Sequence, residues 1–196
     1  QYQSMNMVKI VKDLHLPVGQ FYSNTPDDTH CVQAAFKMAV EYCKPDIKKS
    51  FEEWDVITQK KEGGWTWPYA GLVWIARQGI EVRNIEIFDS KRFAREGKSY
   101  LVEFYGQERA DINEAHSDLV REQENALRFT ECVQTETRVP TIDEMKELLT
   151  QNYVLVCNVN ARTLNGKDGY VGHYVVVKGY DADGFFLNDR SEEHTS

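Results

Sequence analysis

The chain has 196 residues, 41% hydrophobic and 12% aromatic, which suits one globular domain or one domain with an inserted subdomain. A formal charge of −8 with scattered Lys and Arg excludes a phosphate-neutralising surface, so no nucleic-acid partner is expected. No stretch approaches the roughly 18 consecutive apolar residues of a membrane span, and Gln1–Met7 lacks the apolar run of a signal peptide, so a soluble, cytoplasmic protein without a membrane partner is expected.

Residues 1–23 read as an irregular lead-in. Asn24-Thr-Pro-Asp-Asp-Thr-His30 is a run of turn and helix-capping residues. From Cys31 the residues Ala34, Ala35, Met38, Ala39 and Tyr42 recur at helical spacing, which predicts a helix that starts at the cysteine and stops near Lys44-Pro45. Ser50 caps a predicted short helix from Phe51 to about Thr58. A Gly63-Gly64 break follows, then the aromatic segment Trp65-Thr-Trp-Pro-Tyr69 and a second helix running to Gln78-Gly79. The aromatic residues suit either a groove wall or core packing. Ile80 to Phe88 alternates as a strand whose phase slips once, as a bulge would make it.

Residues 107–138 carry eight acidic and four basic side chains, with Ile112, Ala115, Leu119, Ala126 and Phe129 sketching a helical stripe. The expectation is an exposed helix, part of a charged insertion at about 97–138 that shapes a substrate groove. Pro140-Thr-Ile-Asp-Glu144 then predicts a capping box, and Ile142, Met145, Leu148 and Leu149 make the next helix amphipathic. Tyr153–Val159 and His173–Lys178 are buried-strand runs, and Asp181-Ala-Asp-Gly184 turns the second into Phe185-Phe-Leu187 as an antiparallel hairpin. Helices first and sheet last is the α+β pattern.

Four cysteines, Cys31, Cys43, Cys132 and Cys157, are few and widely spaced, so no disulfide framework is required, and with no Cys-x-x-Cys pair no metal site or other cofactor is expected. A thiolate nucleophile is favoured at a helix start, where unpaired amide N–H groups and the dipole stabilise negative charge, and Cys31 has that position. The alternative is a small buried apolar cysteine, which fits Cys43 and Cys157. A base must come from elsewhere in the chain, and His173, after Gly172 at the start of a strand, would be held by a rigid element. His15 and His116 fit solvated roles, and His30 adjoins Cys31 where consecutive side chains diverge. Asn188-Asp189 ends the partner strand, where Asp189 can hold the imidazole tautomer or serve as ordinary turn chemistry. Oxyanion donors would be the Cys31 N–H with Asn24 or Gln20.

The run Gly172-His-Tyr-Val-Val-Val-Lys-Gly-Tyr-Asp-Ala-Asp-Gly-Phe-Phe-Leu-Asn-Asp189 closely resembles the histidine hairpin of the double-glycine leader peptidase-like branch of papain-like cysteine peptidases. Cys31-Val-Gln-Ala-Ala-Phe-Lys-Met38 resembles the family's nucleophile helix, and a helix and strand at 141–159 stand in the right order before the histidine. The resemblance implies a papain-like α+β fold over residues 1–189 and a Cys31–His173–Asp189 triad that attacks an amide carbonyl and forms an acyl-enzyme on a peptide or protein substrate. Two departures stand out. Val32 replaces the family's Gly after the cysteine, and Thr25 or, with a one-residue shift, Asn24 stands where the family has Gln. Three functions follow: a thiol hydrolase cleaving a peptide or isopeptide bond, a non-catalytic peptide-binding domain of the same fold, or a thiol acyltransferase. Arg190-Ser-Glu-Glu-His-Thr-Ser196 resembles translated sequencing-adapter text, so residues 190–196, His194 included, are expected to be a non-native tail.

Overall fold

The computed structural model describes residues 4–9, 22 and 29–188. Strand β1 (Ser4–Lys9) is followed by helix α1 (Cys31–Cys43). All residues from Val32 to Val40 are buried, so α1 is enclosed on every side rather than along one stripe. Helix α2 (Phe51–Thr58) opens on a closed capping box: the Glu53 N–H donates to Ser50 Oγ at 3.2 Å, and the Ser50 N–H donates to the Glu53 carboxylate at 2.8 Å. Helix α3 (Tyr69–Arg77) crosses α1 closely at Gly71, where a Cβ would lie 2.5 Å from Phe36 Cε2.

Strand β2 (Val82–Glu86) leads into four helices, α4 (Ser90–Glu96), α5 (Lys98–Tyr105), α6 (Gln107–His116) and α7 (Leu119–Cys132). Gly97 and Gly106, at φ +54° and +88°, separate the first three. The exposed helix expected over 107–138 is therefore two helices. Moreover, α7 buries Leu119, Glu122, Asn125, Ala126 and Phe129 against α3 and α4. Leu119, Ala126 and Phe129 belong to the expected stripe, but the other two are polar, which disguised how deeply it is buried: the Asn125 amide bridges Glu122 and Gln59, the residue after α2.

Strand β3 (Gln134–Thr137), helix α8 (Ile142–Thr150), strand β4 (Tyr153–Asn160), the single turn α9 (Ala161–Leu164) and strands β5 (Gly172–Tyr180) and β6 (Phe185–Asn188) complete the order. At α8 only half of the expected capping box forms. Thr141 Oγ1 accepts the Glu144 N–H at 3.1 Å, but the Glu144 carboxylate turns instead to the Arg138 guanidinium at 2.7 and 2.5 Å. A charge-assisted fork is stronger than the neutral backbone bond it displaces.

The six strands form one mixed sheet in the order β3-β2-β1-β4-β5-β6, antiparallel except for the parallel β2–β3 pair. The α+β class stands. Its expected segregation does not, because β1 lies in the middle of the sheet, with Met5 opposite both Ile85 and Cys157. That placement depends on partners about 80 and 150 residues away, which no local pattern encodes. Pairing of β1 with β2 runs without a bulge. The slipped phase arises because Asn84 and Ile85 are both buried, the asparagine donating to Glu86 Oε1 at 2.8 Å. Phe36, Trp54, Leu72, Ile75, Ile85, Phe93, Phe129, Met145 and Leu155 fill the core, each fully buried side chain contributing about 1.5–3 kcal/mol. Among the described residues no helix is long and apolar enough to cross a membrane.

Candidate active site

Cys31 is the first residue of α1, half-buried, with no acidic side chain in the first turn to oppose charge on its sulphur. Helix α1 packs across β5. His173 is the second residue of that strand, half-buried and opposite Val159, and Tyr174 follows opposite Asn158. The Tyr174 phenol is held well above its ordinary range, first by burial and then by the fields of Glu86, Cys31, Tyr170 and Tyr105.

The other three thiols are chemically muted. Burial pushes Cys43 and Cys157 up to about 12, and partial desolvation raises Cys132, whose Sγ donates to the Arg128 carbonyl at 3.1 Å. Asp189, Asn24 and Gln20 lie outside the described residues, as do His15 and His194. The described register of the hairpin ends with Asn188 opposite Val176, three residues along β5 from His173. Val32, where the family has glycine, is 2% exposed and belongs to the core. Among the described residues no group of three or more His, Cys, Asp or Glu side chains is arranged to hold a metal ion.

His30 has both ring nitrogens engaged. Nε2 lies 3.0 and 3.1 Å from the two Asp55 carboxylate oxygens and Nδ1 lies 3.2 Å from Thr29 Oγ1, while the ring meets Phe51 edge-on. The buried Gln33 amide donates to the same carboxylate at 3.1 Å and to Thr66 Oγ1 at 2.9 Å. This network ties the first turn of α1 to α2. Sequence reading passed over Asp55 and Gln33, although Asp55 is one of a run of acidic residues in a capped helix whose partner is known only from the fold.

Before His173 the chain is shaped by aromatic contacts. A Cβ on Gly172 would lie 3.2 Å from the Tyr170 hydroxyl and 3.4 Å from Asn158 Oδ1, so the glycine leaves room for the tyrosine to fold back beside the histidine's own backbone. Asn158 Oδ1 is buried there with no hydrogen-bond partner among the described residues. The Arg109 guanidinium of α6 lies 5.4 Å from the Tyr170 ring centre and 5.5 Å from that of Trp65. Of the aromatic segment, Trp67 and Tyr69 pack inward. Trp67 stacks on Phe93 at 4.9 Å and donates to Ser117 Oγ at 2.8 Å, and Tyr69 is buried with its hydroxyl 3.1 Å from Ser90 Oγ. Trp65 stays 38% exposed and stacks on His116 at 5.0 Å, so that histidine is not simply solvated.

No protein-family model, curated protein or solved structure matches this chain. Its chemistry is therefore argued from the residues themselves. Among the described residues stand a thiol at the start of α1, an imidazole near the start of β5 and an unpartnered amide oxygen on the neighbouring strand β4. Glu86 accepts from Asn84 at 2.8 Å and from Ser90 at 3.0 Å, and burial nevertheless pushes it up to about 7.

Proposed function

We propose that the chain is a cysteine peptidase or related thiol hydrolase in which Cys31 is the nucleophile, His173 the general base and Asp189 the residue that orients the imidazole. The observation that carries this reading is the packing of α1, which begins at Cys31, across β5, whose second residue is His173. In the proposed reaction the thiolate attacks an amide carbonyl. The Cys31 N–H and a side-chain amide from Asn24 or Gln20 stabilise the oxyanion, and the imidazolium gives its proton to the departing amine. Water, activated by the same imidazole, then attacks the thioester, releases the acid and restores the thiol. A papain-like arrangement would position these groups as the sequence resemblance implies. The burial of Val32 supports catalytic competence, because that departure is accommodated in the core and need not cover the thiol.

An activity-based thiol probe tests the proposal directly. It should label wild-type protein at Cys31, lose that label on Cys31→Ala, and be competed by peptide substrate. Folded protein that leaves Cys31 unlabelled would support a binding domain instead, and amide products formed with added amines would show acyl transfer in place of hydrolysis.

A further inference from the structure

We infer that Arg109 recognises a carboxylate on the substrate, making the thiol site selective for peptides with an acidic group within about three residues of the scissile carbonyl. The inference rests on the proposed thiol chemistry only for the position of that carbonyl.

The guanidinium stands apart from most of the protein's arginines. Arg83, Arg92 and Arg138 form ion pairs with Glu136, with Glu96 and Glu103, and with Glu136 and Glu144. Arg109 lies instead over two aromatic rings, Trp65 and Tyr170, and no carboxylate among the described residues pairs with it. A chain with 31 acidic and 23 basic side chains has ample carboxylates to neutralise one more arginine. Ring contacts hold the guanidinium in place while leaving its N–H fork, which matches a carboxylate in two parallel bonds, unfilled.

The position is specific. Tyr170 stands three residues before His173, and its hydroxyl folds back against Gly172. The hydroxyl end of Tyr170 is 3.2 Å from a Cβ position on Gly172, next to His173, and its ring centre is 5.4 Å from the Arg109 guanidinium, so a peptide held at His173 has about 10 Å to cross, roughly three extended residues. Trp65 is fixed from behind, since its backbone N–H donates to the His116 carbonyl at 2.9 Å and its ring stacks on that histidine. A locked aromatic support is what a binding arginine needs, because less side-chain freedom is then lost on binding.

The test uses Cys31→Ala protein and pools of fluorescein-labelled decapeptides with no other Asp or Glu. Each pool has Glu or Gln fixed at the centre and a free or amidated C-terminus. A charge-assisted bond predicts that Glu pools, free-acid pools or both bind about 10- to 100-fold tighter than their neutral counterparts, and the favoured pool tells side-chain carboxylate from chain terminus. Arg109→Gln should erase the preference, while Arg109→Lys, which keeps charge but not the fork, should retain a small part of it. Equal binding of acidic and neutral pools by the parent protein, or a preference that survives Arg109→Gln, would overturn the inference. Because binding is read without turnover, a chain that binds acidic peptides but never labels at Cys31 would refute the hydrolase and keep the arginine site.

Discussion

Replacing Glu86 by glutamine should make the protein more stable at pH 8 but not at pH 4.5. The wild-type carboxyl accepts both of its hydrogen bonds, from Asn84 and Ser90, on Oε1, so an amide oxygen can keep them while the charge is removed. Its proton is held to about pH 7 in the folded chain against an ordinary 4.5, with burial the dominant cause. Because the folded state binds the proton more tightly than the unfolded state, ionisation opposes folding. Stability is highest below pH 4.5 and falls as pH rises through 7. At about 1.4 kcal/mol per pH unit that gap amounts to roughly 3 kcal/mol at pH 8. For a chain of this size 1 kcal/mol moves Tm by about 2–4 °C, so Glu86→Gln should gain about 6–12 °C at pH 8 and almost nothing at pH 4.5. Thermal melts of both proteins at half-unit steps from pH 4.5 to 8.5 give the difference curve. A pH-independent offset, or a variant less stable than wild type at pH 8, would show that the carboxyl is solvated and ionised in the folded chain.

Gly71→Ala sets helix propensity, worth about 1 kcal/mol in its favour, against a 2.5 Å approach to Phe36. Overpacking typically costs about 1–3 kcal/mol, so a net loss of Tm is expected, and a gain would mean that α1 and α3 do not cross so closely. Asp55→Ala should destabilise by about 2–3 kcal/mol by stranding the His30 ring and one Gln33 donor. Asp55→Asn, which keeps an acceptor, should lose much less in chemical denaturation, and equal losses would dissolve the network.

Local chemistry made much of this fold legible. The Ser50 cap, the periodic residues after Cys31, the apolar runs at 153–159 and 173–178 and the Asp-Ala-Asp-Gly turn each state their structure within a few residues, and each element forms where expected. What stayed hidden depends on distant partners. Strand β1 acquires meaning only between β2 and β4. Glu122 and Asn125 occupy buried positions because they satisfy each other and Gln59, so α7 disguises its buried face as a polar one. In the candidate site, Cys31 and His173 were visible because a helix start and a strand start are sequence signals with chemical consequences. Arg109 and Tyr170 were not, since 61 residues separate two side chains whose contact exists only in the folded chain.

The central claim is that Cys31 is an activated thiol served by His173. Iodoacetamide alkylation, mapped by mass spectrometry over time from pH 5 to 9, tests it in wild type and in His173→Ala, with circular dichroism confirming that both are folded. The account predicts that Cys31 is labelled before Cys43, Cys132 and Cys157, and that His173→Ala slows its labelling near neutral pH by at least about 10-fold. Labelling led by Cys132 with Cys31 inert, or a Cys31 rate unchanged in folded His173→Ala, would contradict it.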